Sequence, residues 1–260
     1  MGCILVSETR DMFHRGRFLL VQPIRRGHRS GMDAMILASC VPEGFSGRLA
    51  DLGSGAGAAG FAVLSRCPRA YVTLVEHSHF MLSFAKKTLS HPANSRFFSR
   101  VGLVEADVTL RGKARNQAGL ADNSFDFVIM NPPFNDITGC ITPDREKAKA
   151  HFMCSGLMDA WLRTATAIVR PGGGLGLIAR PASLREILSA IEGRFGGIKI
   201  VYIYPRYSLA AIRIILFGIR ASRADLKVMP PLVLHERKGS AFLPRADAIN
   251  NGQLSLWDAY

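Results

Sequence analysis

The stretch Arg48-Leu49-Ala50-Asp51-Leu52-Gly53-Ser54-Gly55-Ala56-Gly57 decides the fold. A short apolar run ends at an acidic residue, glycines follow at alternate positions, and a helical apolar patch begins at Phe61. Glycine lets the backbone turn tightly and lets a ligand approach it closely. The stretch therefore predicts a strand, a ligand-binding turn and a helix in succession.

Strands and helices alternate on the carboxyl-terminal side of this turn. β-branched and continuously apolar runs predict further strands at 71–76, 101–104, 125–130, 175–179, 198–204 and 211–217. Helical periodicity predicts helices at 80–89, 155–169 and 181–195, with a loop at 109–124 and a helix-ending turn at 171–174.

The order of these elements indicates the fold class. A parallel crossover needs a dozen or more residues, so the short segment 205–210 predicts an antiparallel hairpin. Apolar strands that alternate with helices are typical of a parallel sheet covered on both faces. We therefore predict an α/β, doubly wound, mostly parallel seven-stranded sheet of Rossmann-like type with an antiparallel terminal hairpin. It occupies 48–220, between a basic, cofactor-roofing segment 1–47 and a carboxyl-terminal extension 221–260.

Composition excludes several classes of protein. The chain has 260 residues, of which 48% are hydrophobic and 20% charged, which is not the balance of a disordered or collagen-like chain. Its apolar runs are shorter than the roughly 20 residues of a membrane span, and no secretory signal pattern opens it, so we expect a cytoplasmic protein without membrane contact. The five cysteines are scattered and form no metal-binding pattern, so we expect reduced thiols and no metal.

The net charge of +13 favours a nucleic-acid partner. Of 33 basic residues, 25 are arginine, whose planar guanidinium suits phosphate contacts and base stacking. An arginine-rich composition without functional meaning is the alternative. The candidates for phosphate contacts are Arg25, Arg26, Arg29, Arg145 and Lys147.

The glycine turn and two later acids predict a nucleotide-like cofactor. Asp51 directly before the turn suits a cofactor that carries a positive amino-acid group, although the spacing also fits a dinucleotide. Glu76 ends the next strand and can accept both hydroxyls of a ribose, or merely favour a helix N-terminus. Asp107 can meet an adenine amino group, or be a solvated loop acid. The predicted cofactor-binding residues of the turn are Gly53, Ser54, Gly55 and Gly57.

Asn131-Pro132-Pro133-Phe134 at the end of a strand predicts the chemistry. The lone pair of an exocyclic amine of a base is conjugated into the ring and must be oriented before it can attack. The Asn131 side-chain oxygen and the Pro132 carbonyl can each accept one N–H, and the two prolines fix φ. Phe134 offers a stacking face worth roughly 1–3 kcal/mol. The alternative is a strand that ends at two prolines, with Phe134 in the core.

These motifs together resemble the class I S-adenosylmethionine-dependent methyltransferases of the Asn-Pro-Pro-Phe/Tyr group that act on exocyclic amines. The segment 22–34 is similar to the N-terminal motif of bacterial tRNA (adenine-N6) methyltransferases that act on valine tRNA. This resemblance implies S-adenosylmethionine as cofactor and places Asp33 beside its pocket. The chain differs from the group in having Phe134 where tyrosine is usual, a form shared with ribosomal RNA guanine-N2 enzymes.

The resemblance implies a methyltransferase that acts on an exocyclic amino group of a base in RNA, with adenine N6 in tRNA as the first candidate. Guanine N2 in ribosomal RNA and the glutamine amide of a protein remain alternatives. A basic RNA-binding protein that keeps the cofactor fold without turnover, and a nicotinamide-dependent oxidoreductase, are the alternatives of other classes. The sequence does not indicate an oligomeric state.

Overall fold

The computed structural model describes residues 7–24, 27, 29–133 and 156–258. Its strands are β1 (Glu8–Phe13), β2 (Phe18–Pro23), β3 (Ser46–Leu52), β4 (Arg69–Glu76), β5 (Val101–Glu105), β6 (Phe125–Met130), β7 (Val169–Ala179), β8 (Phe195–Tyr204), β9 (Arg213–Arg220), β10 (Lys227–Val228) and β11 (Leu232–Val233). Its α-helices are α1 (Met32–Ser39), α2 (Ala58–Arg66), α3 (His79–Ser90), α4 (Gly112–Gln117), α5 (Leu157–Ile168), α6 (Leu184–Ile191) and α7 (Pro244–Asn250), with 3₁₀ turns at Pro92–Arg100 and Pro181–Ser183.

One sheet organises the molecule. Its strands lie in the order β10-β8-β9-β7-β6-β3-β4-β5, with β11 also paired to β8. β9 runs antiparallel to both β7 and β8, and the other pairs in this sheet are parallel. The predicted doubly wound sheet and its terminal hairpin are confirmed, and the two short strands β10 and β11 add to the seven expected.

Burial on both faces explains the unbroken apolar strands. Along β6, Phe127 and Ile129 join one apolar cluster, whereas Val128 and Met130 join another. Successive side chains of a strand point to opposite faces, so the two clusters lie on the two sides of the sheet. Side chains of α1, α2 and α3 fill the first cluster, and those of α5 and α6 fill the second.

Both flanks of the central pattern pack into the first cluster. β1 and β2 form a hairpin in which Phe18 and Leu20 are fully buried. Ile249 of α7 and Leu256 near the carboxyl end are also fully buried. The flanking segments therefore share the hydrophobic core of the sheet.

Two local predictions were wrong. The expected loop at 109–124 contains α4, where the buried Arg115 donates to the Leu120 carbonyl oxygen at 3.0 Å and pairs with Asp122. Contacts of this one side chain with residues just after the helix thus stabilise a helix that composition did not predict. The glycines at 172–174 lie within the bounds of β7, where the register against β6 shifts between Val169 and Gly174. Close packing against Phe127 leaves no room for a side chain at Gly174. Across the described ranges, no helix is long and apolar enough to cross a membrane.

Candidate active site at the carboxyl edge of the sheet

Three predicted site residues lie in one row at the carboxyl ends of the parallel strands. Leu52 of β3 pairs with Val75 of β4 on one side and with Met130 of β6 on the other. The residues that directly follow these paired positions are Gly53, Glu76 and Asn131. Neighbouring strands are about 4.8 Å apart, so about 10 Å separates the outer two backbones. Ligands of open α/β sheets bind at this edge.

The glycine turn has the backbone geometry that only glycine adopts freely. Gly53, Gly55 and Gly57 have φ values of +69°, +56° and +92°, in the left-handed region. A side chain at Gly53 would overlap the ring of the buried Trp161 on α5. The turn is thus fixed both by its backbone and by the helix packed behind it.

Hydrogen bonds from β4 hold the turn in place. The N–H groups of Gly53 and Ser54 donate to the Val75 carbonyl oxygen at 2.8 and 3.0 Å. Oε2 of Glu76 accepts the Gly55 N–H at 2.9 Å. The turn is therefore preformed, and one of the acids predicted to bind the cofactor also shapes its glycine loop.

Glu76 is buried yet held ionised. Its Oε1 accepts the Ser78 N–H at 2.8 Å and lies 3.2 Å from Nδ1 of His77. Burial raises the pKa of the Glu76 carboxyl, but the hydrogen bond from His77 and those from two backbone N–H groups outweigh it, so this pKa lies below its ordinary value. An ionised carboxylate can accept ribose hydroxyls through its remaining lone pairs.

Asp51 lies beneath the turn and has the opposite electrostatic character. It is 3% exposed, and its Oδ2 accepts the Gly60 N–H in the first turn of α2 at 2.9 Å. Burial raises the pKa of Asp51 to about 7, the Gly60 hydrogen bond lowers it, and the nearby charge of Glu76 raises it further. A positive group brought to this site would therefore favour loss of the Asp51 proton.

Ser54 carries an unpartnered polar atom. Its side chain is buried, and within the described ranges its Oγ makes no hydrogen bond. A buried hydroxyl without a partner costs free energy unless a ligand or water supplies one. This atom, the glycine turn and the ionised Glu76 fit the polar groups of an adenosyl amino-acid cofactor.

Asp107 lies after β5, next to β4 in the sheet. Its side chain is exposed, and Oδ1 accepts both the backbone N–H and the hydroxyl of Thr109 at 2.7 Å. Asp107 thus holds a turn at the carboxyl edge. Its contact with an adenine amino group stays a prediction.

The Asn-Pro-Pro motif begins directly after β6. Asn131 and Pro133 are half-buried and Pro132 is buried. Among the described residues, no hydrogen bond engages the Asn131 side-chain amide, so both its oxygen and its nitrogen are available to a substrate. Phe134 lies outside the described residues, so its predicted stacking role stays a prediction.

Asp33 is in the first turn of α1 and pairs with the start of β9. Nε of Arg213 donates to Asp33 Oδ2 at 2.8 Å. Because β9 is antiparallel to β7, its first residue, Arg213, lies at the carboxyl edge, next to Arg180 at the end of β7. Continuing the register between β7 and β6 places Pro133 on the other side of Arg180. The ion pair therefore borders the Asn-Pro-Pro side of the edge, and a contact of Asp33 with the cofactor stays a prediction.

The predicted phosphate-binding residues are only partly described. Arg29 pairs with Asp11 at 3.1 Å and donates to the Thr9 hydroxyl at 3.0 Å, which ties it to β1. Its role in substrate binding stays a prediction. The other four candidates lie outside the described residues: Arg25, Arg26, Arg145 and Lys147.

Sequence reasoning missed several residues of this edge. The N–H of Ser78 and the ring of His77 support Glu76, and the position directly after an acid that ends a strand could have indicated them. Arg180 directly follows β7, and its position after a predicted strand could have indicated it. Arg213 lies beside it only because β9 inserts between β7 and β8, a place in the sheet that was not predicted.

Nothing in the described part of the chain indicates a metal centre. Over those residues, no three His, Cys, Asp or Glu side chains gather closely enough to hold an ion. Cys40 and Cys67 are free and buried.

Comparison with known proteins places this geometry in context. A family model described as the methyltransferase small domain matches residues 30–210. A solved structure described as a predicted O-methyltransferase from Agrobacterium tumefaciens is 45% identical, with a TM-score of 0.75, and the match covers 86% of this chain and 97% of that one.

Two curated relatives match shorter stretches. Ribosomal RNA small subunit methyltransferase C of Haemophilus influenzae is 31% identical over 101 residues, which are 39% of this chain and 26% of that protein. Ribosomal RNA large subunit methyltransferase G of Pseudoalteromonas translucida is 32% identical over 85 residues, 33% of this chain and 20% of that protein. The matches thus span about a quarter or less of the length of these relatives.

Proposed function

From the premise that this chain belongs to the methyltransferase small-domain family, and that its domain is S-adenosylmethionine-dependent, we propose that it methylates an exocyclic amino group of a base in RNA. The observation that carries this proposal is that Gly53, Glu76 and Asn131 directly follow paired positions on three adjacent strands. This arrangement puts the glycine turn after β3 close to the neutral hydrogen-bond acceptors of the Asn-Pro-Pro motif, which follows the adjacent strand β6.

Asp51, Glu76 and the turn 53–57 would hold the cofactor. Bound there, S-adenosylmethionine supplies an electrophilic methyl group. The ionised Glu76 would accept ribose hydroxyls, and the buried hydroxyl of Ser54 would gain a partner. Asp107 at the end of the neighbouring strand would meet the adenine.

Asn131 and Pro132 would orient the substrate nitrogen. The Asn131 side-chain oxygen and the Pro132 carbonyl oxygen each accept one N–H, which directs the nitrogen lone pair at the methyl carbon. Methyl transfer would form a C–N bond and break the C–S bond of the cofactor, and the alkylated nitrogen would release a proton to solvent. Orientation of this kind supplies up to about 7–11 kcal/mol of a barrier, and neither acceptor needs to be a strong base.

Adenine N6 in tRNA is the first candidate substrate, because the segment 22–34 is similar to the motif of the tRNA (adenine-N6) enzymes. Ribosomal RNA is the second candidate, and the names of the curated relatives favour it. A pI near 10.1 suits either RNA.

Labelled S-adenosylmethionine, offered with tRNA and separately with ribosomal RNA from cells lacking this enzyme, tests the proposal. We expect label in one RNA, and digestion to nucleosides identifies N6-methyladenosine or N2-methylguanosine by mass. Label on a ribose oxygen would contradict amine chemistry and support the O-methyl description of the relative from Agrobacterium. Label only in protein would favour the glutamine amide.

A further inference from the structure

The turn between β8 and β9, residues 205–212, exposes three large apolar side chains beside the candidate active site. Tyr207, Leu209 and Ile212 are 71%, 49% and 42% exposed. Single exposed apolar residues are ordinary, but three within one short turn form a patch. This turn begins at the carboxyl end of β8, and so it lies on the same edge as the Asn-Pro-Pro motif.

The backbone of this turn is ordered by hydrogen bonds. Within it, the Leu209 N–H donates to the Arg206 carbonyl oxygen at 3.1 Å, and the Ile212 N–H donates to the Ile203 carbonyl oxygen at 2.9 Å. From the carboxyl-terminal flank, the His235 N–H donates to the carbonyl oxygen of Pro205 at 3.0 Å. These hydrogen bonds fix the backbone that presents the exposed side chains.

Positive charge surrounds the patch. The Arg206 guanidinium donates to the Gly239 carbonyl oxygen, which is a neutral group. Arg237 and Lys238 are exposed on the same flank, beside Glu236, and Arg213, which pairs with Asp33, begins β9. An aromatic side chain among cations is the pattern by which proteins bind single-stranded nucleic acid, with bases stacked on rings and phosphates near the cations.

The distance from the reacting position suits one extended substrate. β9 is two strands from β6 and β8 is three, so Arg213 and the start of the turn lie about 10 and 14 Å from the Asn-Pro-Pro strand. A nucleotide next to a target base at Asn131 is therefore within reach of this turn.

We propose that the turn 205–212 binds an unpaired nucleotide next to the target base, with that base stacked on Tyr207 and its phosphates near Arg206 and Arg213. This inference rests on the proposed RNA methyltransferase function and names the surface that would hold the substrate. A looped, single-stranded RNA segment is the occupant, because its stacking faces and phosphates match the exposed ring and the cations.

The test compares Tyr207→Ala with Tyr207→Phe, which keeps the ring, and with Phe98→Ala as the matched control. Phe98 is 67% exposed and lies before β5, at the amino edge. The readouts are kcat and KM for labelled methyl transfer to RNA from cells lacking the enzyme, the thermal midpoint, and the affinity for S-adenosylhomocysteine. Because both positions carry exposed rings, we expect the three variants to keep the fold and the cofactor affinity unchanged.

We expect Tyr207→Ala to raise KM for RNA about tenfold, as loss of one base-stacking contact does, with kcat within about twofold. Tyr207→Phe and Phe98→Ala should match the unsubstituted protein. An unchanged KM in Tyr207→Ala, or an equal rise in Phe98→Ala, would overturn this inference and leave the proposed function intact. Failure of the unsubstituted protein to methylate any RNA, including label in protein alone, would overturn both.

Discussion

The two ends of the parallel sheet use charged residues in opposite ways. At the carboxyl edge, Glu76 and Asp51 accept N–H groups from the glycine turn and from the start of α2. At the amino edge, arginines donate to carbonyl groups. Arg66 donates to the Ala38 carbonyl oxygen near the end of α1 at 2.8 Å, and Arg100 donates to those of Cys67 and Ala70, just after α2, at 3.2 Å.

This difference follows from the winding of the chain. Each crossover helix begins at the carboxyl edge with free N–H groups and ends at the amino edge with free carbonyl groups. Acids next to helix starts are thus stabilised at one edge, and arginines next to helix ends at the other. Some of the arginines behind the net charge of +13 therefore have a structural role, and the total charge overstates how many basic side chains are available to bind RNA.

The largest expected effect lies at the carboxyl edge. Asn131→Ala removes an acceptor that orients the amine, so we expect methyl transfer to fall at least about 1,000-fold, or about 4 kcal/mol. Affinity for S-adenosylhomocysteine, measured by calorimetry, should stay within about twofold. Parallel loss of cofactor affinity would show that Asn131 supports the glycine turn instead.

A pair of glycine substitutions compares the two edges directly. Gly53→Ala adds a side chain that overlaps Trp161 at a φ of +69°, so we expect the free energy of unfolding to fall by about 2–4 kcal/mol. Gly172→Ala, near the amino end of β7, has a φ of +77° but no atom within 4 Å of the added carbon, so we expect about 1 kcal/mol. Urea unfolding measures both, and equal losses would show that backbone strain alone matters.

The pKa of Asp51, near 7, couples cofactor binding to pH. A bound ammonium group favours the ionised carboxylate, so the proton is released on binding and affinity rises with pH up to about 7, then levels off. The limiting slope for one proton is about tenfold per pH unit. Calorimetry with S-adenosylhomocysteine should show this rise, and Asp51→Asn, which keeps an oxygen for the Gly60 N–H, should remove it. The same slope in both proteins would assign the proton to another group.

The smallest expected effect lies at the amino edge. Arg100→Met leaves the carbonyl groups of Cys67 and Ala70 without this donor, so we expect the free energy of unfolding to fall by about 1 kcal/mol while transfer to RNA is unchanged. Arg213→Met at the carboxyl edge breaks a partly exposed ion pair worth about 0–1 kcal/mol, but should raise KM for RNA. A rise in KM for RNA in Arg100→Met would contradict the view that amino-edge arginines serve only the fold.

Sequence reasoning predicted the features that depend on residues close together in the chain. Alternation of strands and helices gave the parallel sheet, and the glycine turn, Glu76 and Asn131 were identified from their positions after strands. Register then set them in one row, which follows from parallel pairing once the strand order is known. Local patterns cannot reveal contacts between distant segments, such as the Asp33–Arg213 pair, which joins residues 180 positions apart. They also missed the short helix α4, which contains glycine, asparagine and basic residues.

The insertion of β9 between β7 and β8 also bears on how the chain reaches its native state. A nascent chain that has been made only as far as Tyr204 already contains β7 and β8, but lacks the strand that separates them. Until Arg220 emerges, the outer edge of β7 has unpaired backbone groups, and such an edge invites pairing with other chains. Synthesis of this protein therefore passes through an aggregation-sensitive interval that ends only when β9 enters the sheet.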